Sequence, residues 1–488
     1  MIHLEYYNEK IISSSFFEEP VILAIQKTAR NHPDETIMIS KKGVDTSIFK
    51  NQINEVVNPY TIISTATMSL SDLGYVEDSP FINVSTNHKY PTWIKSDELV
   101  CIHAALVNQL SRHLSSNTSF FYWINSVAKL SRPLGILNYQ LPSAQSRNEL
   151  SNVLLYRFVK QHYKSRWTFL LLLCHVWYDK RFPLYAFAKA QFYKNRSLKL
   201  DVEELQQLEI ISVQQAFNYD VVIPTMGRAT YLKDVLSDLG SQEIQPQTVV
   251  IVEQNEDENS VSELNYLREE QWPFKIIHEF THVTGACRAR NEAINHSSAP
   301  WVLLFDDDVR VQASFSTQVE EFLNRSKAKC VTFACLQKGE TETMQAFKQW
   351  ESFGSGCSIV HRDVLEKCSF DMALEHGYGE DVDYGMQVRN AGFDVIYAPQ
   401  IQILHLKAPV GGFRKPYVFP WNDDEIQPKP SPQIMYHRKK NYTYKQLLGY
   451  KMVQLFKTFG VFGTKLPWNH YKKYQQAWNQ SEKWANKL

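Results

Sequence analysis

The sequence predicts an α/β protein whose second half is an open mixed sheet flanked by helices, preceded by a smaller α/β domain and a helical connector. Three observations predict it. Early in the chain, short apolar runs such as ETIMIS, PYTIISTATMS and FINVST alternate with helical stretches such as DELVCIHAALVNQLSRHL. Between 143 and 217 the pattern turns helical, with NELSNVLLYRFVKQHYKSRW carrying apolar residues at helical spacing. From Asn218, three apolar strands each end in polar residues, in NYDVVIPTMGR, TVVIVEQNEDENS and APWVLLFDDD. Strands that release polar residues at their carboxyl ends describe an α/β sheet with a ligand crevice along those ends.

The elements follow in order. Residues 1–142 are expected to form the smaller α/β domain, in which no phosphate loop and no metal-ligand spacing is visible. Residues 143–217 form the connector, with the Leu170–Leu173 face buried against a neighbour. In the domain 218–425, TYLKDVLSDLGSQ after the first strand reads as an amphipathic helix that closes near Gly240. Residues 426–488 are a basic, amphipathic helical segment, and from Gln433 onward Glu482 is its only acid.

Composition sets limits. The 488 residues carry 52 basic and 52 acidic side chains, a balance that argues against a nucleic-acid-binding surface. Seven cysteines without CxxC spacing read as reduced thiols of a cytoplasmic protein. MIHLEYYNEK lacks the features of a signal peptide, and the longest apolar run, WTFLLLLCHVWY, is short of the ~20 residues a spanning helix needs.

The chemistry concentrates at WVLLFDDDV. Adjacent carboxylates repel, so a triplet at a buried strand's exit needs solvation or a compensating positive charge. In an extended segment Asp306 and Asp308 share a side while Asp307 points away, an arrangement suited to a hard divalent cation, Mn2+ or Mg2+. A second acidic group lies in GEDVDYGMQVRNAG, where Glu380, Asp381 and Asp383 open a helix. They are either helix caps or a general base. His405 ends the apolar run IYAPQIQILH, where a neutral imidazole could join the carboxylates as a third ligand. Gly411 and Gly412, just beyond, suggest a loop able to close over a ligand.

Taken together and in this order, DVVIPTMGRATYL, TVVIVEQNED, TGACRARNEAI, WVLLFDDDV and GYGEDVDYGMQVRNAGFDV resemble the family 2 nucleotide-diphosphosugar glycosyltransferases of the GT-A fold, over about 218–406. The resemblance implies that Pro224, Thr225, Arg228, Arg290, Asn291, Asp306 and Asp307 contact the donor. Glu253 would meet the base, at a place where the family more often has Asp, so the base stays open. It further implies Asp381 as the base, with Glu380 and Asp383 in support, and Asp306, Asp308 and His405 as metal ligands.

The expected activity is inverting, metal-dependent transfer of a sugar from a nucleotide-diphosphate sugar to a hydroxyl of a glycan or lipid-linked acceptor, in surface polysaccharide or glycoconjugate synthesis. Two rivals are a nucleotidyltransferase acting on sugar phosphates, for which PTMGRAT is a poor triphosphate loop, and a catalytically inactive sugar-nucleotide-binding scaffold. In the basic tail, Leu448, Met452, Leu455, Phe456 and Phe459 fall on one helical face among lysines. That face either packs on the protein or lies peripherally on an anionic membrane, at its inner face.

Overall fold

The computed structural model describes residues 1–13, 16–47, 58–65, 70–110, 118–142, 150–207, 217–409, 417–459 and 467–488. Two compact units emerge: Met1–Glu209 with Arg438–Gln476, and Ile210–His437 with Ala477–Leu488. The stretch 426–488, expected as one segment, is thus shared between them. Gly411 and Gly412 lie outside the described residues.

Among its described residues the first unit holds seven strands, β1 (Ile2–Tyr7), β2 (Lys10–Ile11), β3 (Thr36–Lys41), β4 (Thr61–Ser64), β5 (Tyr90–Pro91), β6 (Leu99–His103) and β7 (Leu137–Gln140), in the order β2-β1-β3-β6-β4-β7-β5. β1 runs parallel to β3, β4 runs parallel to β7, and β6 is antiparallel to both β3 and β4. The helices of the expected connector belong to this unit. Asn152–His162 and Arg166–Cys174 place Leu155, Phe158, Leu170, Leu171 and Cys174 in one core with Leu73, Trp93 and Tyr122. Leu173 of the expected buried face is 44% exposed. A short amphipathic helix gains little alone, and burial of its stripe makes it part of the core rather than a link.

The tail helix Tyr444–Lys457 joins the same unit. Its start is fixed by a capping box between Thr443 and Gln446. Leu448, Met452 and Leu455 pack into the core around Leu73 and Tyr75, whereas Phe456 and Phe459 remain 58% and 52% exposed. Gly449 is needed for the approach, since a Cβ there would stand 2.3 Å from the Tyr75 carbonyl oxygen. Backbone cannot rotate aside as a side chain can. Gly449→Ala is therefore expected to cost about 3 kcal/mol, the upper end for overpacking, read as a lower denaturation midpoint in urea. No helix among the described residues is long and apolar enough to cross a membrane.

The second unit is built on β8 (Tyr219–Thr225), β9 (Thr248–Gln254), β10 (Lys275–Thr281), β11 (Trp301–Phe305), β12 (Val309–Arg310), β13 (Cys330–Gln337), β14 (Lys348–Gln349), β15 (Cys357–His361) and β16 (Ile396–His405). Its sheet runs β10-β9-β8-β11-β15-β13-β16-β12, with β14 on β16. β10, β9, β8 and β11 are mutually parallel, as the three strand-plus-polar-exit segments required. Parallel strands covered on both faces are continuous apolar runs, and Val221, Val222, Ile223, Val249, Val250 and Ile251 are all fully buried. Asp220, the exception within β8, accepts hydrogen bonds from the amides of Ser298 and Ala299. β15 is antiparallel to β11 and β13, which makes the sheet mixed. The ends of β8 and β11 come side by side, and Asp306 begins where β11 stops.

Candidate active site

The triplet leaves β11 in a turn. Asp307 is buried, accepts the Thr225 hydroxyl at 2.7 Å and receives Arg228 Nη1 at 2.7 Å; the same guanidinium nitrogen is 3.3 Å from Asp308 Oδ2. Burial raises the Asp307 carboxyl to about 6 against the opposing pull of Arg228. Much of the repulsion that the sequence seemed to leave for an external cation is therefore met inside the protein. Asp307, expected at the donor, is engaged in holding the β8 loop to the β11 exit. It still belongs to the cleft wall.

Asp306 and Asp308 line the same cleft as Asp307, and Asp308 shares the Arg228 guanidinium nitrogen with it. With His405, Asp306 and Asp308 bring one ligand atom each within 4.8 Å of one another. His405 Nε2 is 3.2 Å from Asp308 Oδ1, and Arg290 Nη2 is 3.4 Å from Asp306 Oδ1. Asp308 Oδ2 accepts the amide of Ala408 at 2.8 Å. Burial works against ionising Asp308, but His405, the Ala408 amide and Arg228 together hold its carboxyl below the usual value. The Asp308 contact in turn raises His405. Arg290 Nε is buried without a hydrogen-bond partner, while Asp308 Oδ1 meets the His405 imidazole. Carboxylates and an imidazole lining one cleft with a cationic donor suit a cation and an oxyanion bound together. Pro224, Thr225, Arg228, Arg290 and Lys407 line the same cleft of about 490 Å³.

Asp381 opens the helix Glu380–Asn390 and is joined to this group through a loop that sequence reading missed. Ser355 N–H donates to Asp381 Oδ1 at 3.2 Å, and the Gly356 carbonyl accepts from Asp306 N–H at 3.2 Å. Successive residues of FGSGCS thus hold the proposed base and the first acid of the triplet. Burial is the main cause that raises the Asp381 carboxyl to about 6, Arg290 opposing it and Glu380 adding to it. Gly356 has no room for a side chain, because a Cβ would lie 2.0 Å from Asp306 Oδ2. Gly356→Ala is expected to leave the fold intact, since the short Asp306 side chain can swing aside. Its Mn2+-dependent nucleotide affinity should fall about tenfold or more in calorimetric titration.

Other expected residues are placed differently. Asn291 is spent on the backbone of Phe370, donating to its carbonyl at 2.8 Å and accepting its amide at 2.9 Å. Asp383 is fully buried, accepting from Gln387 at 2.8 Å with His437 Nδ1 at 3.7 Å, and is not part of the cleft wall. Glu380 stands beside Asp381 at the helix start. Glu253 ends β9, but its carboxylate is held by His278 Nε2 at 2.9 Å and the Glu263 amide at 2.9 Å. Burial resists its ionisation and these partners reverse that, leaving it below the ordinary glutamate range. Glu375, also missed, accepts the amides of Cys287 and Arg288 at 3.0 and 2.8 Å and so caps the helix Ala286–Asn295 that carries Arg290. His278 and Glu375 had no sequence signal, since neither stands in a patterned position.

A second convergent group, Asp72, His175 and Asp179, occurs in the first unit. Lys445 and Arg181 already bond these carboxylates, with Arg181 Nη2 2.8 Å from Asp72 and 2.7 Å from Asp179. Burial disfavours the charged form of Asp72, yet His175, Lys445 and Arg181 hold it far below the usual range. With both charges compensated, this is a structural network.

The exit of β11 thus brings Asp306 and Asp308 into one crevice with Arg290, which the helix Ala286–Asn295 supplies. Residues 220–367 match the family model for glycosyl transferase family 2. No curated protein matches the sequence. Among solved structures, the chain is similar to S. aureus TarS 1–349 in complex with UDP-GlcNAc, at 15% identity and a TM-score of 0.39, over 55% of this chain and 82% of that one. It is also similar to the mannosyltransferase PcManGT from Pyrobaculum calidifontis in complex with GDP-Man and Mn2+, at 16% identity and a TM-score of 0.33, over 42% and 63% of the two chains. A third is GalNAc-T7 with UDP, GalNAc and Mn2+, at 12% identity and a TM-score of 0.34, over 40% and 44%.

Proposed function

We propose that the protein transfers a sugar from a nucleotide-diphosphate sugar to an acceptor hydroxyl with inversion at the anomeric carbon. The observation that carries this reading is the convergence of Asp306, Asp308 and His405 in one cleft with Arg290, while Asp381 is held by the neighbouring loop residue. Asp306, Asp308 and His405 would hold a divalent cation, Mn2+ or Mg2+, which when bound offsets the charge of the departing diphosphate. Arg290, with Nε unpartnered, is available to a phosphate oxygen; Arg228 instead keeps Asp307 and Asp308 in place. Asp381 accepts the proton of the attacking hydroxyl, a task for which a carboxyl near 6 is well matched at neutral pH. One base and direct displacement give inversion.

The acceptor is a glycan or a lipid-linked glycan hydroxyl. Membrane attachment through the tail helix is not part of this reading, because Leu448, Met452 and Leu455 are already packed inside the first unit. The test incubates the full chain with Mn2+ and a panel of UDP- and GDP-sugars. The expected result is Mn2+-dependent release of nucleoside diphosphate, with the sugar product of opposite anomeric configuration by proton NMR. Release of pyrophosphate or nucleoside monophosphate would instead mark nucleotidyl chemistry and overturn the reading.

A further inference from the structure

β16 carries His405 to the catalytic cleft, and Gln400, Gln402, Ile403 and Leu404 of the same strand line a second and larger cavity. This cavity has a volume of about 640 Å³, inside the range of about 300–1,000 Å³ typical of ligand pockets. Its wall is rich in side-chain amides: Gln312, Gln318, Gln337, Gln400 and Gln402. Among the described residues, only Gln318 of these spends its side chain on the protein, donating to Ser314 Oγ at 2.9 Å.

Gln400 owes its position to an irregularity. The register of β13 against β16 jumps between Phe333 and Ala334, from Ala398 to Gln402, so that Pro399, Gln400 and Ile401 bulge from the ladder. Proline cannot donate to a ladder and is tolerated in a strand at such a bulge, and bulges re-aim the side chains they carry. Here the bulge leaves Gln400 Oε1 buried in the cavity wall without a hydrogen-bond partner. A buried amide oxygen left unpaired is costly unless a ligand satisfies it.

The lining selects the ligand class. Arg310 is locked to Asp238 through two bonds of 2.7 and 2.8 Å, which removes it as an anion receptor, and Lys338 and Glu340 oppose each other in sign. Neither a phosphate nor a metal finds a charged receptor set. Unbonded amides, each offering donors and an acceptor, instead match vicinal hydroxyls, which both donate and accept. Val311, Leu336 and Leu404 add apolar surface for the C–H faces of a sugar ring. We propose that this cavity is a binding site for a neutral oligosaccharide, separate from the catalytic cleft and sharing β16 with it. The choice of a glycan over a peptide rests on the transferase reading; the choice of a neutral, polyhydroxylated ligand rests on the lining alone.

The test uses saturation-transfer NMR on the full chain with maltotetraose, cellotetraose, mannotetraose and chitotetraose. At least one is expected to bind, with affinity about tenfold weaker in Gln337→Ala/Gln402→Ala and unchanged in Asp306→Ala. Both glutamines lie at the surface of the wall, and an unchanged thermal transition of the double variant confirms its fold. Binding by none of the four, or binding that persists in the glutamine variant, overturns the proposal, as does capture of peptides from a random library in place of the sugars. Mn2+-dependent UDP and GDP binding is measured in parallel. Its absence alongside glutamine-dependent sugar binding would sink the transferase reading and leave the oligosaccharide site standing.

Discussion

Asp381→Asn is expected to lower turnover by about 100-fold or more while donor affinity stays within about twofold, the pattern of a lost general base. The amide oxygen can still accept the Ser355 N–H that orients the side chain, so the helix start should keep its geometry. The pH dependence supplies an independent check. Because burial raises this carboxyl from 3.8 to about 6, the wild-type rate should be level above pH 6 and fall about tenfold per unit below it. The sign for stability is opposite. The folded protein holds this proton more tightly than the unfolded chain does, so stability from this group is lost as pH rises from about 4 to about 6. Asp381→Asn removes that penalty, and the variant should melt no lower than wild type at pH 7. A variant that loses donor affinity but keeps turnover of bound donor would make Glu380 the better base.

Asp308→Asn is expected to weaken Mn2+-dependent nucleotide binding by about 100-fold or more, above the 10–100-fold range for losing a residue that only supports a metal ligand. Asn is the informative replacement because Asp308 is also structural: its Oδ2 holds the Ala408 amide, and its backbone carbonyl accepts from Leu406 N–H. From the sequence, removing one charge of three should relieve repulsion. With Arg228 and His405 facing Asp308, neutralising it also removes favourable pairings, and the metal-free variant is expected to be slightly less stable than wild type. Circular dichroism melting in EDTA measures that difference, and nucleotide affinity unchanged in Mn2+ would remove Asp308 from the ligand set.

What the sequence made legible followed from periodicity and punctuation. The strands ending at Thr225, Gln254 and Phe305 are long apolar runs closed by polar residues, so their parallel pairing and shared crevice could be read directly. Alternation separates Asp307 from Asp306 and Asp308 only in an extended segment, and the triplet lies in a turn; the partners of Asp307, Thr225 and Arg228, lie some 80 residues earlier, 79 for Arg228. Sequence separation also hid the Ser355–Gly356 loop, in which a Gly/Ser cluster signals a turn and says nothing of the carboxylates it touches. Asp383 and Asn291 carry the residue types expected of a site, and only burial separates them from it: one faces His437 inside the unit, the other clips the Phe370 backbone. The helices between 143 and 217 showed their apolar faces plainly, whereas the surface that receives them did not, because core membership is a long-range property.

The central claim is that the triplet's exit binds a cation and a nucleoside diphosphate as a pair. It is tested most directly by thermal unfolding of the full chain with UDP or GDP, in Mn2+ and in EDTA, since any ligand of the native state raises the melting temperature by mass action. The account predicts that one nucleotide raises it only when Mn2+ is present and that the shift disappears in Asp306→Ala and Asp308→Asn. An equal shift in EDTA, or one that survives both substitutions, would contradict it.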